Sequence, residues 1–310
     1  MRPRLALALL TLACNPDSDS DAAGDSTGSE TSSTSSAATA EPTTSPTTAP
    51  APTTGDDEPT AGDPDTTAAS ETGPPAGGCT DLPLCDDFES AAPGGPPDAA
   101  LWTVTSPNCS GAGALQVDDV EAHGGARSLR VDGGGGYCDH VFIANTSAIE
   151  QIGPVVYGRL WLRFGAALGQ GHVTFLTLRD SADSGGKDLR MGGQSEIFMW
   201  NRESDDATLP ALSPAGIAMS GAPTPGQWTC VEFMIDEAQG LLSTWVDGNA
   251  VPGLAVDADP TPDADQQWHN KPMWRPTLAD FKVGWESYAG QTMTLHVDDV
   301  ALADQRVGCL

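Results

Sequence analysis

Between residues 5 and 126 the chain has no lysine or arginine, and its 310 residues carry only 14 basic side chains against 43 acidic ones. Phosphate backbones are gripped by clustered cations, so a net charge of −29 excludes nucleic acid as a partner. There is no CxxC or CxxxC pair and the five histidines are scattered, which argues against a zinc site. The GxSxG elbow, the HExxH helix motif and the P-loop are all missing; the glycine run 133–136 leads into Tyr137, not into Lys-Ser. Lysine is scarce throughout, with three in the chain.

What is present divides the chain into three parts. Arg2 and Arg4 precede an apolar run, 5–13, that is too short to span a bilayer and reads as an export signal. It ends in Leu10-Thr11-Leu12-Ala13-Cys14, which resembles a bacterial lipobox, although Thr11 stands where leucine is usual. Cys14 is thus the candidate lipidation site, and a lipid there is the one membrane contact to expect. Residues 15–78 hold only Ser, Thr, Ala, Pro, Gly, Asp, Glu and one Asn, with twelve acids. Such a segment buries too little apolar surface to offset its ordering entropy and is expected to be a disordered linker. Its reach as a flexible coil is about 40–48 Å, enough to hold a domain clear of a cell surface.

Residues 79–310 form one domain, with 31 acids and 12 bases. Its apolar periodicity is two. The segments 154–164, 172–179, 227–236 and 292–302 alternate as half-buried strands do, and Asp247-Gly248 after 241–246 marks a hairpin. Many short strands without a long amphipathic helix predict an all-β antiparallel sandwich, most simply a jelly roll. Setting Cys14 aside leaves six cysteines, an even number suited to disulfides outside the cell. Cys79 and Cys85 are close enough to pair. Cys309 must join an internal cysteine, with Cys109, Cys138 and Cys230 as candidates.

Seven blocks, in order, carry a resemblance: Cys85-Asp-Asp-Phe-Glu-Ser90, Gly136-Tyr-Cys-Asp-His140, Gly171-His-Val-Thr-Phe175, the segment 186–195, the segment 201–210, Gly284-Trp-Glu-Ser-Tyr288 and Arg306-Val-Gly-Cys309. Together they resemble the core domain of the cellulose-induced secreted proteins of plant-degrading fungi. The resemblance implies a concanavalin-like jelly roll related to glucuronan and alginate lyases, with a bound calcium. It also implies the pairings Cys109–Cys138 and Cys230–Cys309, leaving Cys79 for Cys85. The partner it implies is a polysaccharide, either uronate-containing or a plant cell-wall glucan; the chain is expected to act as a monomer.

Cleavage of a uronate chain by β-elimination needs a group to neutralise the carboxylate, a base for the C5 proton and an acid for the leaving oxygen. Alternation along 188–198 puts Arg190 and Gln194 on one face, if no bulge intervenes at Gly192-Gly193. Lys282, Glu286 and Tyr288 share a side of another strand, and His172 shares a face with Thr174. Arg190, Gln194, Tyr288, His172 and Lys187 are therefore the candidate catalytic set. Arg179, Lys187, Arg190 and Arg202 fall within 24 residues, predicting a positive groove on an acidic protein. Arg202, Asp206, Trp200 and Glu286 are candidate substrate contacts. If the domain binds sugars without turnover, Trp200, Trp274 and Trp285 are the faces to stack on them.

Calcium has its own candidate ligands. Glu89 opens the domain and Asp298-Asp299 lie near its end, and first and last strands of a jelly roll are commonly neighbours, so their hard oxygens can meet. The resemblance adds the loop His123-Gly-Gly-Ala-Arg127, with one departure: Gly124 and Arg127 stand where the family more often has Ser and Asn. If those two positions ligate through side chains, the Arg127 guanidinium can itself replace the cation.

Overall fold

A computed structural model of the chain describes residues 81–109, 111–183, 185–271 and 274–309. The export signal, Cys14, the linker 15–78 and Cys79 lie outside the described residues.

Alternation of apolar and polar side chains is clearest in Val155–Phe164, where Val156, Leu160, Leu162 and Phe164 are wholly buried and Tyr157, Arg159, Trp161 and Arg163 point outward. A strand of period two must bury one face, and two sheets doing so against each other make a sandwich. In chain order the strands are β1 (Leu84–Asp86), β2 (Thr103–Thr105), β3 (Ala114–Asp118), β4 (Ser128–Gly133), β5 (Val141–Asn145), β6 (Val155–Phe164), β7 (Val173–Asp180) and β8 (Lys187–Gln194). They continue with β9 (Ile197–Arg202), β10 (Thr208–Leu209), β11 (Trp228–Asp236), β12 (Leu241–Val246), β13 (Asn249–Ala250), β14 (Phe281–Ser287) and β15 (Met293–Ala303). One sheet runs β13-β12-β11-β6-β15-β4-β3, with β1 also on β15; the other runs β10-β9-β8-β7-β14-β5-β2. Every pairing is antiparallel. The all-β sandwich expected of the sequence is the fold, and the two short α-helices, Pro214–Ile217 and Gln266–His269, sit in connections.

The core between the sheets holds Phe164, Phe175, Phe198, Trp200, Phe233, Phe281, Val283 and Trp285, with Phe175 and Phe198 edge-on at 5.8 Å. Burying side chains of this size at about 25 cal/mol per Å² is what holds the layers together. Two disulfides add covalent ties: Cys109–Cys138 and Cys230–Cys309, as the resemblance implied. Cys85 is also disulfide-bonded.

Two features of register place the functional groups. In the seven-stranded sheet, the register of β7 shifts between Thr174 and Leu176 against β8, and that of β14 shifts between Val283 and Glu286 against β7. In the other, β15 pairs with β4 through Val297 and with β1 from Val300, and its register against β6 shifts between Asp298 and Ala301. Bulges of this kind re-aim side chains.

Candidate active site

The outer face of the seven-stranded sheet carries polar residues that the sequence would not lead one to bury. Lys282 and Glu286 of β14 are 3% and 6% exposed, and Thr174 and Thr177 of β7 are closed off beside them. The β8–β9 register is unbroken from Leu189↔Arg202 to Gln194↔Ile197, so Gly192-Gly193 introduces no bulge there and Arg190 and Gln194 share a face. Gln194 ends its strand at a two-residue hairpin whose Ser195 and Glu196 both have positive φ, 54° and 67°, the twist that such turns need. Gln170 O and Gly169 O accept the N–H groups of these two residues and hold the turn.

His172 and Tyr288 meet at the mouth of this face. Their rings stack with centroids 5.2 Å apart, the Tyr288 N–H donates to His172 O, and the Arg190 guanidinium lies 5.4 Å from the Tyr288 ring centre. Burial first, and then the charge of Arg190, pulls the His172 imidazole down to about 4 against the opposing charge of Asp206, so the ring is neutral at ordinary pH. The Tyr288 hydroxyl is pushed above its usual range by burial, then by its hydrogen bond to Glu286 and that carboxylate's charge. A neutral imidazole beside a firmly protonated phenol is an acid–base pair with its roles already divided.

Two residues not singled out as site candidates complete the mouth. Tyr137, with its ring 5.2 Å from that of Tyr288, and Tyr288 are the large exposed aromatics of the cleft, at 41% and 43%. Buried His140 has Nδ1 2.6 Å from Tyr137 O and Nε2 2.8 Å from Pro107 O, with Nδ1 also 3.5 Å from Glu286 Oε2. Both sit around a one-turn segment that the Cys109–Cys138 disulfide pins, and the block Gly136–His140 was the only sequence signal for them. Thr174 Oγ1, Thr177 Oγ1, Asn201 Oδ1 and Glu286 Oε1 are buried without a hydrogen-bond partner. Unpaired buried polar atoms are costly unless something else meets them, and grouped on one face they describe where a polyhydroxylated ligand would sit.

Several expected contacts are corrected by burial and pairing. The four cations do not make an open positive groove: Arg179 pairs with Asp188 at 2.8 Å, Lys187 with Glu203 at 3.4 Å, Arg190 with Glu203 at 3.1 Å and Arg202 with Asp205 at 3.1 Å. Lys187 stands at the rim, and Lys282 is held by Asp188 at 3.4 Å and by Asp280. Arg202 lies over the Trp268 and Trp274 rings, at 5.5 and 5.9 Å. Trp200 and Trp285 are wholly buried and Trp274 nearly so, so none offers a face to sugar; Trp200 Nε1 donates to Thr244 Oγ1 inside the core. Asp206 is exposed on the loop after β9, and its charge reaches His172. Two roomier hollows, about 470 and 510 Å³, lie beside Gln239 and Arg275 and along Gly133 and Thr294. Among the described residues neither is lined by an unpartnered buried polar atom, so the narrower cleft is the better site.

The residues expected around calcium do come together, where β15 changes partners. At least one oxygen of each carboxylate is occupied by the chain's own donors. Glu89 Oε1 accepts the N–H groups of Ala126 and Arg127 at 2.6 and 2.7 Å. Asp298 Oδ2 accepts those of His123 and Gly124 at 2.8 and 3.2 Å, and Asp299 Oδ2 lies 2.7 Å from His123 Nδ1. Arg127 Nη1 donates to Glu89 O and to Ala91 O. A calcium ion needs six to eight free oxygens, and this arrangement does not fit one.

No curated protein matches the chain. A solved structure described as "Cellulose induced protein, Cip1" is 40% identical, with a TM-score of 0.67, over 73% of this chain and 100% of that one. The endo-β-1,4-glucuronan lyase of Trichoderma reesei is 12% identical with a TM-score of 0.42, over 72% of this chain and 96% of that one, too distant to bear on the site. A family model described as polysaccharide lyase-like, "Cip1-like, core domain", matches residues 87–305. With a match over most of the chain and a relative of this identity, the protein belongs to the Cip1-like, polysaccharide lyase-like family.

Proposed function

We propose that the domain is an extracellular polysaccharide lyase that cleaves uronate-containing chains by β-elimination. The observation that carries this reading is the stacked His172–Tyr288 pair with Arg190 over it. In the proposed step Arg190, with Gln194 on the same face, binds the uronate carboxylate and acidifies the C5 proton. Neutral His172 takes that proton as the C4–O bond breaks and the C4–C5 double bond forms. Tyr288 gives its proton to the leaving oxygen, and Glu286, its acceptor, keeps the phenol protonated until then. The pairing of Arg190 with Glu203 and Glu286 sets its direction before substrate arrives.

The family and the disulfides support a place outside the cell. A lipid on Cys14 and the tether of residues 15–78 would hold the domain at the surface. The test is to incubate the purified protein with glucuronan, alginate and related polymers and follow ultraviolet-absorbing unsaturated ends. We expect such ends from at least one uronate polymer and none with His172→Ala. Their absence from the whole panel would sink the lyase reading.

One observation favours a second reading, a carbohydrate-binding domain without turnover: the cleft's cations are all matched by carboxylates, while Tyr137 and Tyr288 present an exposed aromatic pair. On that reading His172→Ala binds sugar chains as the parent does and neither yields product.

A further inference from the structure

We propose that in this chain the Arg127 guanidinium does the work of the family's calcium, so that the domain closes its seam without a divalent cation. The seam joins three pieces far apart in sequence: the turn after β1, the loop between β3 and β4, and the bulge of β15. Both outer pieces are bent by residues with positive φ, Phe88 at 56° and Asp299 at 47°. A bulky residue adopts that conformation only where the surroundings hold it, and wholly buried Phe88 is anchored in the core. The bend brings two backbone carbonyls, Glu89 O and Ala91 O, onto one nitrogen of Arg127.

The ligand count separates the two cations. Calcium would take several oxygens at about 2.3–2.6 Å and release the N–H groups they now accept. Here Glu89 Oε1 already accepts two backbone N–H groups and the Asp298 carboxylate three, counting that of Asp299 to Oδ1 at 2.8 Å. The remaining carbonyls face a guanidinium, which is always charged and carries its donors in a rigid fork. A doubly charged ion placed among the same carbonyls would sit against that positive group. The departure at position 127 is therefore an exchange of a mobile cation for a covalently attached one, and it makes the fold indifferent to chelators. Gly124 fits the same exchange: a side chain there would bring its Cβ to 3.2 Å from Asp299 Oδ2.

The experiment uses the whole chain and does not depend on whether it is a lyase. Metal content is measured after purification from calcium-containing medium, and thermal unfolding is followed with chelator and with excess calcium chloride. We expect well under one calcium per chain and one melting temperature in all three conditions. Arg127→Ala should lower it by about 4–10 °C, the size of losing charged hydrogen bonds in a domain of this length, and calcium should not restore it. Arg127→Asn should fall similarly and recover on adding calcium. Stoichiometric calcium in the parent, a fall with chelator, or an Arg127→Ala variant as stable as the parent would each overturn the proposal. Should the variants fail to fold, metal content and chelator response of the parent still decide it.

Discussion

His172 carries its proton affinity into the site as a product of neighbours, not of its own chemistry. An exposed imidazole titrates near 6.5; this one, desolvated and facing Arg190, is held to about 4. If it is the base, kcat/KM should stay level as pH falls through 6 and decline only as it approaches about 4, and a decline centred near 6.5 would remove His172 from that role. The same shift acts on stability with a definite sign. Between about 4 and 6.5 the unfolded chain takes up a proton at this residue and the native one does not, so its contribution is intact above 6.5 and is lost as pH falls through that window. A His172→Gln variant should therefore lose less stability than the parent on going from pH 7 to pH 4.5, measured by denaturant unfolding. At this scale the sequence was informative for Arg190, Gln194, His172, Glu286 and Tyr288, all of which lie on or beside one sheet face. For Tyr137 and His140 it offered only the block Gly136–His140 and no role, because nothing local marks a residue that reaches the cleft by way of a disulfide-pinned turn.

At the level of elements, the strands expected at 154–164, 172–179, 227–236 and 292–302 are β6, β7, β11 and β15, each within a residue of its expected bounds. Period two is a local property, which is why it could be read directly. The bulges could not, since each is a mismatch between two strands distant in sequence. Gly192 shows what they demand: a Cβ there would stand 1.8 Å from Val173 O and 2.8 Å from Thr174 Cα, so β7 lies against β8 only because position 192 has no side chain. Gly192→Ala should cost about 1–3 kcal/mol or more by forcing the backbones apart. In a domain of this size that is a melting temperature lower by roughly 2–4 °C for each kcal/mol. Its lyase activity, if present, should fall more than its stability, because Thr174, Glu286 and Arg190 are positioned across that contact.

For the molecule as a whole, the covalent ties matter because they close long loops. Cys230 and Cys309 are 79 residues apart, and their bond straps the C-terminal tail across β11, where buried Glu232 accepts from Arg306 Nη2 at 2.7 Å and from the Gly308 N–H at 2.8 Å. Replacing both cysteines with serine should lower stability by about 2–4 kcal/mol, read by denaturant unfolding; an unchanged midpoint would show that the tail is held by Glu232 and by Arg306 over the Trp245 ring. Taken alone, the sequence determined the period of the strands and hence the sandwich, since each follows from composition or from neighbours along the chain. Tertiary structure alone decided that Trp200 and Trp285 face inward, that the clustered cations are paired with carboxylates, Lys187 and Arg190 sharing Glu203, and that Arg127 lies where a cation was expected. Burial and ion pairing depend on what a second sheet or a distant loop brings to a residue, and that partner is not written in the residue's own neighbourhood.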